Sequence, residues 1–488
     1  MAKRLLSKNV IANVVSSIII IMGILMLPAL GFSVYYGESD FYPLLYSVII
    51  TLSFGTGLKF LTRKSKDAEI KKRDGYLIVT LSWVSMAIFG TLPYLLMEHN
   101  LGVSDAFFES MSGLTTTGAT ILDDIESLPH GILFWRSMTQ WIGGMGIIVL
   151  TIAILPLLGI GGMELFVAEA PGPTKDKIHP RIKETAKRLW IIYLILTISE
   201  TIILMFCGMN FFDAINHSLT TNSTGGFSTK QDSIAAFNSP VIELVIMFFM
   251  FVAGTNFTLI YFGFKGKFSR FWNNDEFKWY LGAVLGLIII LTPIIWMETD
   301  LSFFRSLRDV SFQVVSIITT TGYATADYTL WGPLATFMFF LLLFSGASAG
   351  STSGGIKIVR IVLLMKNGFL EFKKRLHPNA ILPVHLNKQS VPSNIIYNLL
   401  AFIFLYLFIF TLGALVMTAL GETFDVALSS VATSLGNVGP GIAEISPANT
   451  FSAISSPGKW VLSFLMLFGR LELFTVALLF TPYYWRRN

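Results

Sequence analysis

Apolar stretches long enough to cross a bilayer recur from one end of the chain to the other, and four shorter, polar-tipped segments sit between them in the same phase. Two hydrophobic helices are predicted first, near 10–36 and 41–61. Four units follow, each a long apolar helix, a short segment ending in a Thr/Gly or Asn/Gly run, and another long apolar helix. The long helices fall near 75–97 and 132–160, then 188–208 and 239–264, then 277–297 and 331–365, then 393–420 and 459–482. The short segments are DAFFESMSGLTTTGAT (105–120), DAINHSLTTNSTGGFST (213–229), DVSFQVVSIITTTGYAT (309–325) and DVALSSVATSLGNVGPG (425–441).

The segments are in register. Each runs from an aspartate to a glycine: Asp105 to Gly118, Asp213 to Gly226, Asp309 to Gly322 and Asp425 to Gly439, separations of 13, 13, 13 and 14 residues. A repeat of roughly 100 residues, present four times, predicts a fourfold array within one chain. A helix of about twelve residues is roughly 18 Å long, too short for a hydrocarbon core of about 30 Å. Such a segment should enter the membrane and return on the same side. Aspartate suits its start, as N-cap and opposite the helix dipole. Its C-terminal end then points partial negative charge at the bilayer centre.

Non-helical backbone at that depth is tolerated only inside protein or along a watery cavity. Four such strands around one axis satisfy that condition jointly. Their carbonyls and threonine hydroxyls can replace water around a dehydrated cation, and glycine allows the backbone to turn. Taken alone, any one Thr/Gly stretch would read as an extracellular turn; four in phase favour a filter. Tyr323, and Phe227 in the equivalent place after Gly226, are expected to buttress the strands from behind.

Composition narrows the class. The chain has 488 residues, 53% hydrophobic and 13% charged, with a mean hydropathy of +0.66; soluble domains carry about 25% charged residues. The fold class is therefore an all-α polytopic membrane protein: four pseudo-symmetric membrane–pore-loop–membrane repeats around one pore plus two N-terminal helices. The domains are expected at 1–73 (helix pair and basic loop), 74–172, 173–270, 271–375 and 376–488. Lys3, Arg4 and Lys8 before an apolar run mimic a signal peptide, but the run to Tyr36 exceeds the roughly 7–15 residues of a signal core, so it reads as a retained helix.

The net charge of +5 is assigned to cytoplasmic loops, not to nucleic acid. Arg63, Lys64, Lys66, Lys71, Lys72 and Arg73, the stretches 173–188 and 366–375, and Arg486 and Arg487 mark that side. Acidic 123–127 and 298–300 mark the other, with Arg305 and Arg308 as exceptions. Ten spanning helices with both termini inside fit this pattern. Cys207 is the single cysteine, the six histidines are scattered, and no HExxH, GxSxG or Walker loop occurs, so no enzyme chemistry is expected.

TTTGAT, NSTGGFST, TTTGYAT and GNVGPG in combination resemble the Trk/Ktr/HKT superfamily of potassium transporters, over nearly the whole chain, and the extra N-terminal pair and the length resemble its TrkH branch most. The resemblance implies potassium uptake across a bacterial inner membrane, K+ as the transported ion without an organic cofactor, a homodimer with one pore per subunit, and a cytosolic nucleotide-binding ring of TrkA type that controls opening. It assigns the filter to Thr116, Thr117 and Gly118; Thr224, Gly225 and Gly226; Thr320, Thr321 and Gly322; and Asn437, Val438 and Gly439. The longer fourth segment leaves its register open by one residue. Glycine at all four turning positions resembles the potassium-preferring members. No strand reads TVGYG, so selectivity is expected to be weaker than in a dedicated potassium channel.

FSGASAGSTSGGIKIVR (344–360) interrupts the last helix of unit three. Gly346, Gly350 and Gly354 have the GxxxG spacing of close helix packing, but so many serines and glycines, Gly355 included, favour a flexible intramembrane loop acting as a gate beneath the filter. Lys357 would mark its cytoplasmic end. Arg470 lies within the last long helix, where a charge is costly. The alternatives are an ion pair with a distant acid such as Glu109 or Glu200, and, by resemblance, a pore-facing charge that impedes leak. Glu109 suits either the helix dipole or cation attraction at the mouth; Glu200 and Glu243 are given no role. The competing function is an ion-coupled (proton or sodium) symporter, which usually uses inverted repeats and intramembrane acids; here the repeats run parallel and deep acids are few.

Overall fold

The computed structural model describes residues 8–63, 72–97, 101–149, 178–380 and 382–486. Residues 64–71 of the first basic stretch and 173–177 of the second lie outside them, as does the end of the helix expected to run to 160.

The protein is all-α with re-entrant segments. Among the described residues, six helices are long and apolar enough to cross a membrane: Lys8–Tyr36, Phe41–Leu61, Arg73–Leu95, Ala186–Phe206, Asp275–Glu298 and Ser393–Ala419. Two bent pairs bring the number to eight when each counts as one span, Pro240–Ala253 with Phe257–Phe264 at 108° and Ser456–Arg470 with Phe474–Phe480 at 111°. The other two positions expected to span are His130–Val149 and the interrupted pair Pro333–Leu342 and Ile358–Leu376. Many large apolar side chains on the long helices face outward, among them Phe206, Ile289 and Phe404, as a lipid-facing surface requires.

The bends were not foreseen. At Gly254–Asn256, the Asn256 side chain accepts from Thr258 N at 2.8 Å and starts a new helix. At 471–473, Glu472 and Leu473 adopt left-handed backbone. Both breaks fall in the last helix of their unit, where the third unit is interrupted as well.

The four short helices are Val103–Leu114, Phe211–Asn222, Phe303–Ile318 and Phe424–Gly436. Each is buried along most of its length. The aspartates are not their N-caps, contrary to expectation: Gly102, Asn210, Ser302 and Thr423 hold that position. Asn210 and Ser302 cap with their side chains, accepting from Asp213 N and Arg305 N. Asp309 lies mid-helix, because Ser302 starts that helix two turns earlier. The aspartates instead make side-chain ties: Asp105 to Lys459 at 2.6 Å, Asp213 to Thr229 at 2.6 Å, and Asp309 to Arg308 at 3.6 Å. Asp425 is exposed.

Candidate ion-conduction site

All four short helices end in the same way. In the first, Thr116 N donates to Gly113 O and Thr117 N to Ser112 O, both at 2.9 Å. Thr224 and Gly225 repeat this on Thr221 and Thr220, Thr320 and Thr321 on Ile317 and Ser316, and Asn437 and Val438 on Ser434 and Thr433. This is a Schellman termination, whose left-handed residue is usually glycine. Here it is Thr116, Thr224, Thr320 or Asn437, with φ of 51°, 53°, 57° and 53°. Two residues on, Gly118, Gly226, Gly322 and Gly439 are left-handed again, and the residue between is not. Alternating handedness turns successive peptide planes over, so that carbonyls line up on one side and N–H groups on the other. The N–H groups are spent on the helix ends; the carbonyls face elsewhere.

This settles the register of the fourth segment. Asn437 and Gly439 hold the same two left-handed positions as in the other strands; the longer separation arises because Asp425 is the second residue of its helix, where Asp105 and Asp213 are the third.

The strands close a ring. A Cβ on Gly118 would overlap Gly225 O, one on Gly226 would overlap Thr321 O, one on Gly322 would overlap Val438 O, and one on Gly439 would lie 2.6 Å from Thr117 O. Repeat one thus abuts two, two abuts three, three abuts four, and four returns to one. Only glycine fits, by backbone angle and by space. The carbonyls of Thr116, Thr117, Gly118, Thr224, Thr320, Thr321, Gly322, Asn437, Val438 and Gly439 accept no hydrogen bond from the described residues. The Thr, Asn and Val among them are fully buried. Buried carbonyls without a donor are rare and call for water or an ion. A small pocket of about 70 Å³ is lined by all four glycines together with Arg136, Lys230 and Phe451.

Side chains brace the ring from behind. Thr115 and Thr117 hydroxyls bond to each other at 2.8 Å, as do Thr319 and Thr321. Tyr323 is buried, as its expected role requires; its hydroxyl meets Thr220 Oγ1 and donates to His217 O at 3.2 Å on the second short helix. Two braces were missed in the sequence. Arg136 bonds Glu109 at 2.6 Å and donates to Ser228 O at 2.9 Å, and its guanidinium lies 3.8 Å from the Phe227 ring centre. Gln140, one turn on, reaches Gly225 O and Phe227 N. Both sit in an apolar helix, so a polar i, i+4 pair at membrane depth was the available signal. Glu109 is consequently a buried ion-pair partner that also accepts from Thr120 Oγ1 and Ile121 N, not a helix-start charge.

Beneath the ring lies the interruption at 343–357, closed by a short parallel pairing of Ser345–Gly346 with Ile356–Lys357. It is not helical, so GxxxG packing does not describe Gly346, Gly350 and Gly354. It is tied to its surroundings at several points: Ser348 N to Gly254 O at 3.0 Å, Phe257 N to Gly350 O at 3.1 Å, Ala349 N to Glu276 Oε1 at 2.5 Å, Thr352 Oγ1 to Asn222 O at 3.0 Å, and Gly354 N to Thr320 Oγ1 at 2.6 Å. A Cβ on Gly354 would overlap Gly436 O, and Gly355 is left-handed. Lys357 does not mark a cytoplasmic end: it is buried, and its ammonium folds back onto the carbonyls of Ser353 and Gly354.

Arg470 is almost wholly buried and meets no acid among the described residues. It donates to Thr352 O and to Gly143 O, each at 2.9 Å. The acids once considered for it are taken, Glu109 by Arg136 and Glu200 by Asn222 at 2.6 Å; Glu472 pairs with Arg360.

A multi-span chain with four re-entrant strands ringing one axis is a membrane transport protein rather than an enzyme. The family model described as TrkH, cation transport protein, matches residues 44–487. The chain belongs to that family. It is 42% identical to the Trk system potassium uptake protein TrkH of Salmonella typhimurium, covering 96% of this chain and 97% of that one. It is 35% identical to the Trk system potassium uptake protein TrkG of Escherichia coli, over 98% and 99%. The crystal structure of the potassium transporter TrkH from Vibrio parahaemolyticus superposes with a TM-score of 0.91 at 37% identity, over 98% of this chain and all of that one.

Proposed function

We propose that this protein is the potassium-translocating pore subunit of a Trk-type uptake system, with Thr116–Gly118, Thr224–Gly226, Thr320–Gly322 and Asn437–Gly439 as its filter. The closed ring of abutting glycines and carbonyls carries this reading, since it sets buried, unpartnered oxygens around one axis. The four short helices point their C-terminal ends at the same place, which favours a cation there. The potassium uptake proteins among its relatives supply the ion.

Segment 345–357 is the gate. It touches the second, third and fourth repeats directly beneath the filter and carries Arg470 on Thr352 O. Arg470 places an unneutralised charge below the filter and pins the loop, so it both repels cations and holds the gate. The pore works in a bacterial inner membrane with both termini cytoplasmic, as a homodimer under a TrkA-type nucleotide-binding ring. Flux follows the electrochemical gradient: of the deep carboxylates, Glu109 and Glu472 are held by arginines, which leaves those two unsuited to shuttle protons, and Glu200 is held by the amide of Asn222.

Uptake of rubidium and sodium into proteoliposomes holding the purified protein tests this. Rubidium uptake that persists without a proton or sodium gradient and exceeds sodium uptake supports it; equal fluxes, no flux, or flux that vanishes without the gradient contradicts it.

A further inference from the structure

Strand two is built differently from the others. Where strands one and three place Thr117 and Thr321, and strand four Val438, strand two has Gly225. Strands one and three stitch themselves through hydroxyl pairs, Thr115 with Thr117 and Thr319 with Thr321. Strand two has no such stitch, because Gly225 lacks a side chain; Ser223 keeps the back-bond to Leu219 O, at 2.9 Å, of the kind that Thr115 and Thr319 make on their own helices. Gln140 stands in its place. It is fully buried on the helix His130–Val149. Its Nε2 donates to Gly225 O at 2.6 Å, and its Oε1 accepts from Phe227 N at 3.0 Å. One amide therefore spans the left-handed Gly226 and holds the backbone on both sides of it. The fit is mutual: a Cβ on Gly225 would overlap Gln140 Cδ.

The clamp also marks one oxygen of the ring. Four carbonyls abut the next strand's glycine: Thr117, Gly225, Thr321 and Val438. Of these, only Gly225 O accepts a hydrogen bond from the described residues. Its lone pairs are shared with an amide donor, and its position is set by a side chain from a different repeat.

We infer that Gln140 is a positioning residue for ion discrimination: it fixes strand two at the radius and carbonyl orientation that favour the larger cation. This rests on the filter reading above. Cation choice depends on how many carbonyl dipoles face the ion and how firmly they are held, so a strand released on one side of the ring should close around a smaller ion at lower cost.

The test is the sodium-to-rubidium permeability ratio of purified protein in liposomes, measured beside its detergent melting temperature. Gln140→Leu should raise the ratio by about fivefold, the factor that one net hydrogen bond carries. Gly225→Thr alone should lose selectivity, because the new side chain and Gln140 claim the same space. Gln140→Ala with Gly225→Thr converts strand two to the hydroxyl-stitched type beside Ser223, and should bring the ratio back toward that of the parent. A merely structural role would lower the melting temperature in Gln140→Leu without moving the ratio and would show no rescue in the pair; that result overturns the inference. Gly322→Ala, at the contact between strands three and four, separates the two readings. If it abolishes discrimination while Gln140→Leu leaves the ratio unmoved, the filter stands and the clamp falls. If neither variant alters the ratio, the filter reading falls as well.

Discussion

Gly354 N donates to Thr320 Oγ1 at 2.6 Å, joining the segment under the pore to the first residue of filter strand three. The bond is buried, and the threonine that accepts it holds a left-handed backbone position at the end of a short helix. The proposed filter and gate are thus parts of one hydrogen-bonded assembly. Thr320→Val, which keeps the shape and removes the acceptor, should loosen the loop by about 1 kcal/mol and raise resting rubidium leak severalfold. Thr320→Ser should not. Equal leak in both variants would separate the gate from the strand.

Arg470 holds the opposite flank of the same loop through Thr352 O and Gly143 O. Arg470→Ala removes both the charge and the tether, so higher basal flux is expected in protein that still elutes as a folded species. Arg470→Lys keeps the charge but lacks the planar fork that reaches two carbonyls, and should leak at an intermediate level. Loss of folding without change in flux would assign the residue to packing alone. Shortening 346–354 should leak more strongly than either substitution.

Glu109 and Arg136 form a fully buried pair between the first short helix and the helix behind it. Breaking such a pair from one side leaves a buried charge and costs about 3–5 kcal/mol. Glu109→Gln should therefore lower the melting temperature sharply, whereas Glu109→Leu with Arg136→Met should regain much of the loss. Thermal unfolding in detergent reads the difference; a mild effect for Glu109→Gln would mean that water reaches the site.

Gly226 has neither the space nor the backbone angle for a side chain, because Thr321 O of the next strand lies where its Cβ would go. Gly226→Ala should push strands two and three apart and abolish selective uptake. Gly282, which has open space around it, should accept alanine with uptake intact. Matching behaviour of the two variants would argue that the strands do not abut in the working protein.

The repeats and their register were legible because glycine is obligatory where strands touch: Gly118, Gly226, Gly322 and Gly439 recur 13 or 14 residues after an aspartate. The start itself was misread. Aspartate marks the right neighbourhood, but Ser302 and Asn210 make the caps, and Asp309 ended mid-helix as a partner of Arg308. Spacing alone cannot distinguish a cap from a first-turn or mid-helix charge. The gate segment was visible as a serine and glycine run that a continuous helix would not carry, whereas the inward fold of Lys357 depends on carbonyls that loop geometry alone presents. Arg136 and Gln140 were hidden by the apolar residues around them; Glu109 lies on a different helix, and their other partners, Ser228, Gly225 and Phe227, lie at or beside strand two, far along the chain, where sequence spacing is uninformative. The bends at 254–256 and 471–473 escaped because the flanking helices are apolar on both sides.

The central claim is that the ring of strands discriminates a larger monovalent cation from a smaller one. The most direct measurement is the reversal potential of purified protein in a planar bilayer, with potassium on one side and sodium on the other. A shift toward the potassium equilibrium potential, lost in Gly322→Ala, is the predicted result. A reversal at zero under that gradient, in protein that conducts, would contradict it.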